Sequence, residues 1–159
     1  MKPKLPRISK AGYILRMAVI ALALITPIIF LATEGYLPSL SNYWRTPLQP
    51  LFILANASTA YYFFGSHNRW KIPAVFLLLL TAFSIDSYPM VHNVVAVLFF
   101  VSCLIPLHKT KYYKHFFWAY ICSILFVPIS VTLGEFLSTS VLCVFHALMI
   151  HKIYKVQKK

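Results

Sequence analysis

Six apolar runs set the pattern of this chain, at residues 12–33, 48–65, 71–86, 90–107, 115–133 and 136–152. Each is long for a strand, and at roughly 20 residues per crossing most of them match the ~30 Å hydrocarbon core of a bilayer. Short polar or proline-bearing segments punctuate them: the loop 34–47, a basic stretch leading into Lys71, the Ser87-Tyr88-Pro89 hairpin, a second basic stretch leading into His115, and a tight Gly134-Glu135 turn. The third run is short for a full crossing. It must tilt little, use Trp70 and Lys71 as interfacial anchors, or lie where the bilayer is thin. The pattern predicts an all-α integral membrane protein, a six-helix bundle forming a single polytopic domain over residues 1–159.

Composition excludes an ordinary soluble globule: 60% of the 159 residues are apolar and only 11% charged, with a mean hydropathy of +0.73, where soluble domains carry about a quarter charged residues. The net charge of +12, from 15 Lys and Arg against three acids, would suggest nucleic acid in a soluble protein. Alternating helices change that reading. They put Lys2, Lys4, Arg7, Lys10, Arg16, Arg69, Lys71, Lys109, Lys111, Lys114, Lys152, Lys155, Lys158 and Lys159 on one side and Arg45 alone on the other. By the positive-inside bias both termini are cytoplasmic, in a plasma membrane or bacterial inner membrane. The expected partners are membrane lipids, with a membrane-protein partner or a second copy left open, and no nucleic acid. The first run follows Lys2, Lys4, Arg7 and Lys10 as a signal peptide's would, but it is too long, carries Arg16 and lacks an A-x-A site, so an uncleaved helix is expected. Cys103, Cys122 and Cys143 lie in apolar runs without a CxxC, which predicts buried hydrophobes and no disulfide framework.

The three acids, Glu34, Asp86 and Glu135, all fall at the expected outer ends of helices. His92 and Asn93 open the fourth run on that side, and Arg45 lies in the outer loop. The short hairpin brings the Asp86 carboxylate towards the His92 imidazole, a pair suited to proton transfer, metal binding or a headgroup's phosphate and amine, or simply to locking the hairpin. Asn56, about two turns into the second run, needs a hydrogen-bond partner or a ligand. Glu34, Arg45, Asn56, Asp86, His92, Asn93 and Glu135 are therefore expected to line one outward-facing cavity. His146 and His151 are about 140° apart on a helix and share no face, and the lone Cys143-x-x-His146 falls short of a zinc site. His146 is expected to be hydrogen-bonded within the bundle. No catalytic order, phosphate-binding glycine loop or metal motif is present, so no catalytic residue, metal or cofactor is assigned.

The segment Pro38-Ser39-Leu40-Ser41-Asn42 with Thr46-Pro47, followed by Asn56-Ala57-Ser58, resembles the first outer loop and second helix of the DRAM/FRAG/Sfk family. The hairpin from Asp86 to His92, the run Asn93-Val94-Val95-Ala96-Val97-Leu98-Phe99-Phe100 and the closing Gly134-Glu135 are similar to that family's plan, with Asn42 where an aspartate is usual and fewer glycines. The resemblance implies a six-span, non-enzymatic protein that binds, senses or helps organise membrane lipid. Two alternatives stand beside it: a small structural or accessory subunit of a larger membrane complex, supported by 16% aromatic residues, and an intramembrane metal-dependent lipid hydrolase. The second lacks a His-x-x-x-His motif, and by helical rise about 24 Å separates Glu135 from His151.

Overall fold

The computed structural model describes residues 8–110 and 113–157; Lys2, Lys4, Arg7, Lys111, Lys158 and Lys159, which carry part of the expected charge asymmetry, lie outside them. The described residues are helical and contain no strand: α1 (Lys10–Glu34), α2 (Gln49–Phe64), α3 (Lys71–Ala82), α4 (Pro89–His108), α5 (Lys114–Ile124) and α6 (Val131–Gln157). Three of them, α1, α4 and α6, are long and apolar enough to cross a membrane. At 1.5 Å per residue α3 and α5 extend only about 17–18 Å.

Local chemistry explains the boundaries. Ser9 caps α1, its hydroxyl accepting the Gly12 N–H at 3.0 Å, and the chain leaves α1 at Gly35, whose φ of 72° a side chain would disfavour. Pro89 opens α4 at its first turn, where the missing N–H costs nothing. Two expected boundaries are corrected. The third run stops being helical at Ala82, short of Asp86, because the chain must turn before Pro89: Phe83 is extended at φ −101°, ψ 101°, and Tyr88, ahead of the proline, is non-helical at φ −138°, ψ 58°. The break between the last two helices falls at 125–130, around Pro128, and not at Gly134-Glu135. Ser130 starts α6, its hydroxyl accepting the Leu133 N–H at 3.1 Å, so Gly134 and Glu135 sit inside the helix.

The helices form a closed ring in sequence order, each packing on the next and α6 returning to α1. Contacts along their lengths show that neighbours run antiparallel. Tyr13 of α1 stacks on Tyr154 of α6, whereas Tyr36, past the other end of α1, bonds Ser130 ahead of α6. Phe30 meets Phe52 across α1 and α2, and the Tyr120 hydroxyl donates to the Phe100 carbonyl across α5 and α4 at 3.0 Å. Both ends of the described chain therefore meet: the Ile8 N–H donates to Gln157 Oε1 at 2.8 Å. The ring has an acidic end, with Glu34, Asp86 and Glu135, and a basic end, with Lys10, Arg16, Arg69, Lys71, Lys109, Lys114, Lys152 and Lys155. A main core of Phe63, Trp70, Leu77, Phe99, Leu107, Tyr120 and Phe145 fills the ring, and a smaller cluster of Phe30, Tyr43 and Phe52 closes its acidic end.

Candidate functional site

At the acidic end the loop between α1 and α2 folds into a cap through a 3-10 turn at Leu40–Arg45. Three polar contacts fasten it to the start of α6. The buried Glu135 carboxylate accepts the Leu40 N–H at 2.7 Å, the Thr132 hydroxyl donates to the Leu37 carbonyl, and the Tyr36 and Ser130 hydroxyls bond each other. Tyr43 is fully buried and stacks on Phe30, with ring centroids 4.6 Å apart, while its hydroxyl donates to the Gly35 carbonyl at 2.5 Å. Burial raises the Tyr43 hydroxyl above the ordinary tyrosine range, because the phenolate would be desolvated there.

Beside this cap lies a groove of about 600 Å³ between α4, α6 and the end of α5. Its rim carries Ser39, Ser41, Asn42, Asn93 and Glu135, and Ser138 sits one helical turn further in. Its remaining wall is apolar: Ala96, Val97, Phe100, Val101, Ile124, Val127 and Val131. Val97 and Val101 are both more than half exposed, so the groove opens sideways on the outer face of α4. Gly134 forms part of its base, and that glycine is required: a Cβ there would lie 2.9 Å from the Val127 backbone nitrogen.

The seven residues expected in one cavity are distributed over several places. Asn93 and Glu135 share the groove. Asn56 lines a separate cavity of about 90 Å³ inside the ring, with Thr26, Thr59, Tyr62, Thr139 and His146; Ser58, its sequence neighbour, donates instead to the Ala55 carbonyl. The expected Asp86 and His92 partnership is corrected. Asp86 pairs with Arg45 in an ion pair whose side chains are each about half exposed, since Arg45 closes the cap directly over the hairpin. His92 is fully buried and its Nδ1–H donates to the Phe83 carbonyl at 2.6 Å, which satisfies the group left free where α3 ends. Its Nε2 is buried without a partner among the described residues. Glu34 is exposed at the end of α1. Among the described residues no three His, Cys, Asp or Glu side chains come together as metal ligands.

The chain's pattern also left some groups unassigned. Ser39, Ser41, Asn42 and Ser138 are ordinary polar residues until the cap folds them onto one groove. His146 is hydrogen-bonded as expected of a bundle residue: its Nδ1 lies 2.8 Å from the Tyr62 hydroxyl, and the rings of Tyr62, Phe63, Trp70 and Phe145 enclose it. Its mid-depth position announced a hydrogen bond, but only the fold brings Tyr62 to it. Compared with protein-family models, curated proteins and solved structures, the chain matches none.

Proposed function

We propose that this chain is a six-span membrane protein with cytoplasmic termini, of the DRAM/FRAG/Sfk type, which binds lipid in the groove at its acidic end without acting as an enzyme. The observation that carries the reading is the division of the groove's wall, polar where Ser39, Ser41, Asn42, Asn93 and Glu135 meet and apolar from Ala96 to Val101 and at Ile124. That division matches an amphiphile, with the headgroup at the rim and an acyl chain along the laterally open side. With Arg45 drawn away by Asp86, the rim offers one carboxylate, amides and hydroxyls. It suits a headgroup that donates hydrogen bonds through hydroxyls or an amine.

The outer surface supports membrane immersion of the short helices as well as the long ones. Large apolar side chains face outward on α1 (Ile14, Ile25), α2 (Leu54), α3 (Ile72, Val75), α4 (Val94, Val101), α5 (Trp118) and α6 (Val144, Leu148). Single cysteines at Ser87 and His67, in a background without the native cysteines, should react with an impermeant thiol reagent from opposite sides of the membrane. Reaction of both from outside intact cells would end the six-span reading. Native mass spectrometry tests the groove: lipid retained by the purified protein should be weakened by Glu135→Gln and displaced by Val97→Trp, which fills the lateral opening. Retention indifferent to both substitutions would refute lipid binding there. Stoichiometric zinc would then favour the hydrolase, and a persistent protein partner the accessory subunit.

A further inference from the structure

The basic end holds a second cavity, of about 290 Å³, at the small end of the ~300–1,000 Å³ typical of ligand pockets. Arg16 enters it from α1, and His67 and Arg69 from the turn between α2 and α3; Ser66 and Thr110 add hydroxyls. Met149, Ile150 and Ile153 of α6 give it an apolar side. Its floor is His146, which is more than nine-tenths buried and whose Nε2 has no hydrogen-bond partner among the described residues.

Among the described residues no carboxylate lines the cavity to balance its charge. The chain contains only three acids, and all of them sit at the opposite end of the ring. Along α1, 18 residues separate Arg16 from Glu34, about 27 Å of helix. Arg45 and Asp86 form an ion pair at that acidic end. Arg16 makes one long contact, Nη2 to the Gly65 carbonyl at 3.5 Å, which leaves most of its guanidinium N–H groups directed elsewhere. Two guanidiniums held around a concave, partly apolar cavity without a carboxylate favour an anion from outside, and the planar fork of arginine matches phosphate oxygens in pairs.

We propose that this cavity is a binding site for a phosphate group, in a lipid headgroup or as a soluble phosphate, held by Arg16 and Arg69 with His67 beside them. It is separate from the groove at the acidic end and stands or falls without it.

Trp70 lies on the cavity wall and is buried, so it reports on occupancy. In a Trp44→Phe/Trp118→Phe background, reconstituted in phosphatidylcholine vesicles, added brominated phosphatidic acid should quench Trp70 at least tenfold more effectively than brominated phosphatidylcholine. The selectivity should vanish in Arg16→Gln/Arg69→Gln. Arg69→Gln alone, at an exposed turn position whose loss leaves the packing intact, should reduce it severalfold and covers the case in which the double variant does not assemble. Lys109→Gln/Lys114→Gln, which removes two exposed charges from the same end but outside the cavity, should leave it unchanged. If millimolar inorganic phosphate relieves quenching in the parent protein, the site accepts soluble phosphate; if it does not, the site selects the lipid. Equal quenching by the two lipids, or an equal loss in the Lys109/Lys114 variant, would overturn the proposal, the latter by reducing the effect to surface charge.

Discussion

Gly134→Ala tests whether the turn after α5 is pressed against the start of α6. In an ordinary helix the substitution would stabilise by about 1 kcal/mol, since glycine is the poorer helix former. Here a Cβ would meet Val127 Cγ2 at 2.6 Å, the Val127 nitrogen at 2.9 Å and the Val127 Cα at 3.1 Å. The methyl group can rotate away, but the backbone atoms cannot, so α6 or the turn at 125–130 must retreat by roughly half an ångström or more in a close-packed interior. Overpacking costs about 1–3 kcal/mol; with backbone atoms as the obstacle the upper half of that range applies, about 2–3 kcal/mol, so after the propensity gain a net loss of about 1–2 kcal/mol remains, a fall in Tm of about 2–8 °C. A fluorogenic maleimide reads the transition through Cys103 and Cys143, both buried, in a Cys122→Ser background that silences the exposed thiol. Val127→Ala should restore only part of the loss, because it relieves the methyl contact and not the backbone ones. Gly65→Ala is the control: its Cβ would find nothing nearer than 3.7 Å at a φ of −77°, so it should be neutral or slightly stabilising. A Gly134→Ala protein as stable as its parent would refute the close approach, and with it the geometry assigned to the groove's base.

Arg45→Ala and Asp86→Asn should each change stability by no more than about 1 kcal/mol, as expected of an exposed ion pair, and Arg45→Ala should leave lipid retention in the groove intact; loss of the lipid would return Arg45 to the headgroup site. The Tyr43 hydroxyl, raised by burial, holds its proton more tightly in the native state than in the unfolded chain, so its contribution is fully present below the ordinary tyrosine pKa of about 10 and is lost as pH climbs through the higher native value. Tyr43 shares deep burial with Tyr62 and Tyr120, so Tyr43→Phe should remove one tyrosine's share of the late-rising tyrosinate absorbance, the share whose ionisation accompanies loosening of the cap; a late amplitude identical in the variant would contradict the burial.

The long apolar runs that became α1, α4 and α6 were legible because a membrane-length helix needs little beyond length and composition. Pro89 marked the start of α4 for an equally local reason, its fixed φ and missing N–H. The break before α6 was misread because Gly134 looks like a turn residue, whereas its role is to admit a backbone seven residues earlier in the chain. That is a tertiary demand with no local signature. Glu135 and Asn93 stood out as polar groups in apolar runs, and both reached one groove. Their grouping with Glu34, Asn56 and His92 failed because helix ends on one side of a ring share a depth but not an angular position, and rotation about each helix axis is decided by packing. Asp86 illustrates the choice: the chain offered His92 six residues away, and the folded cap delivered Arg45 instead. The alternation of the helices separated every basic residue except Arg45 from the acids, since three acids clustered at one end leave none for the other. That Arg16 and Arg69 converge on a cavity, with His146 at its floor, was decided by the closure of α6 onto α1, which brings together groups as much as 130 residues apart.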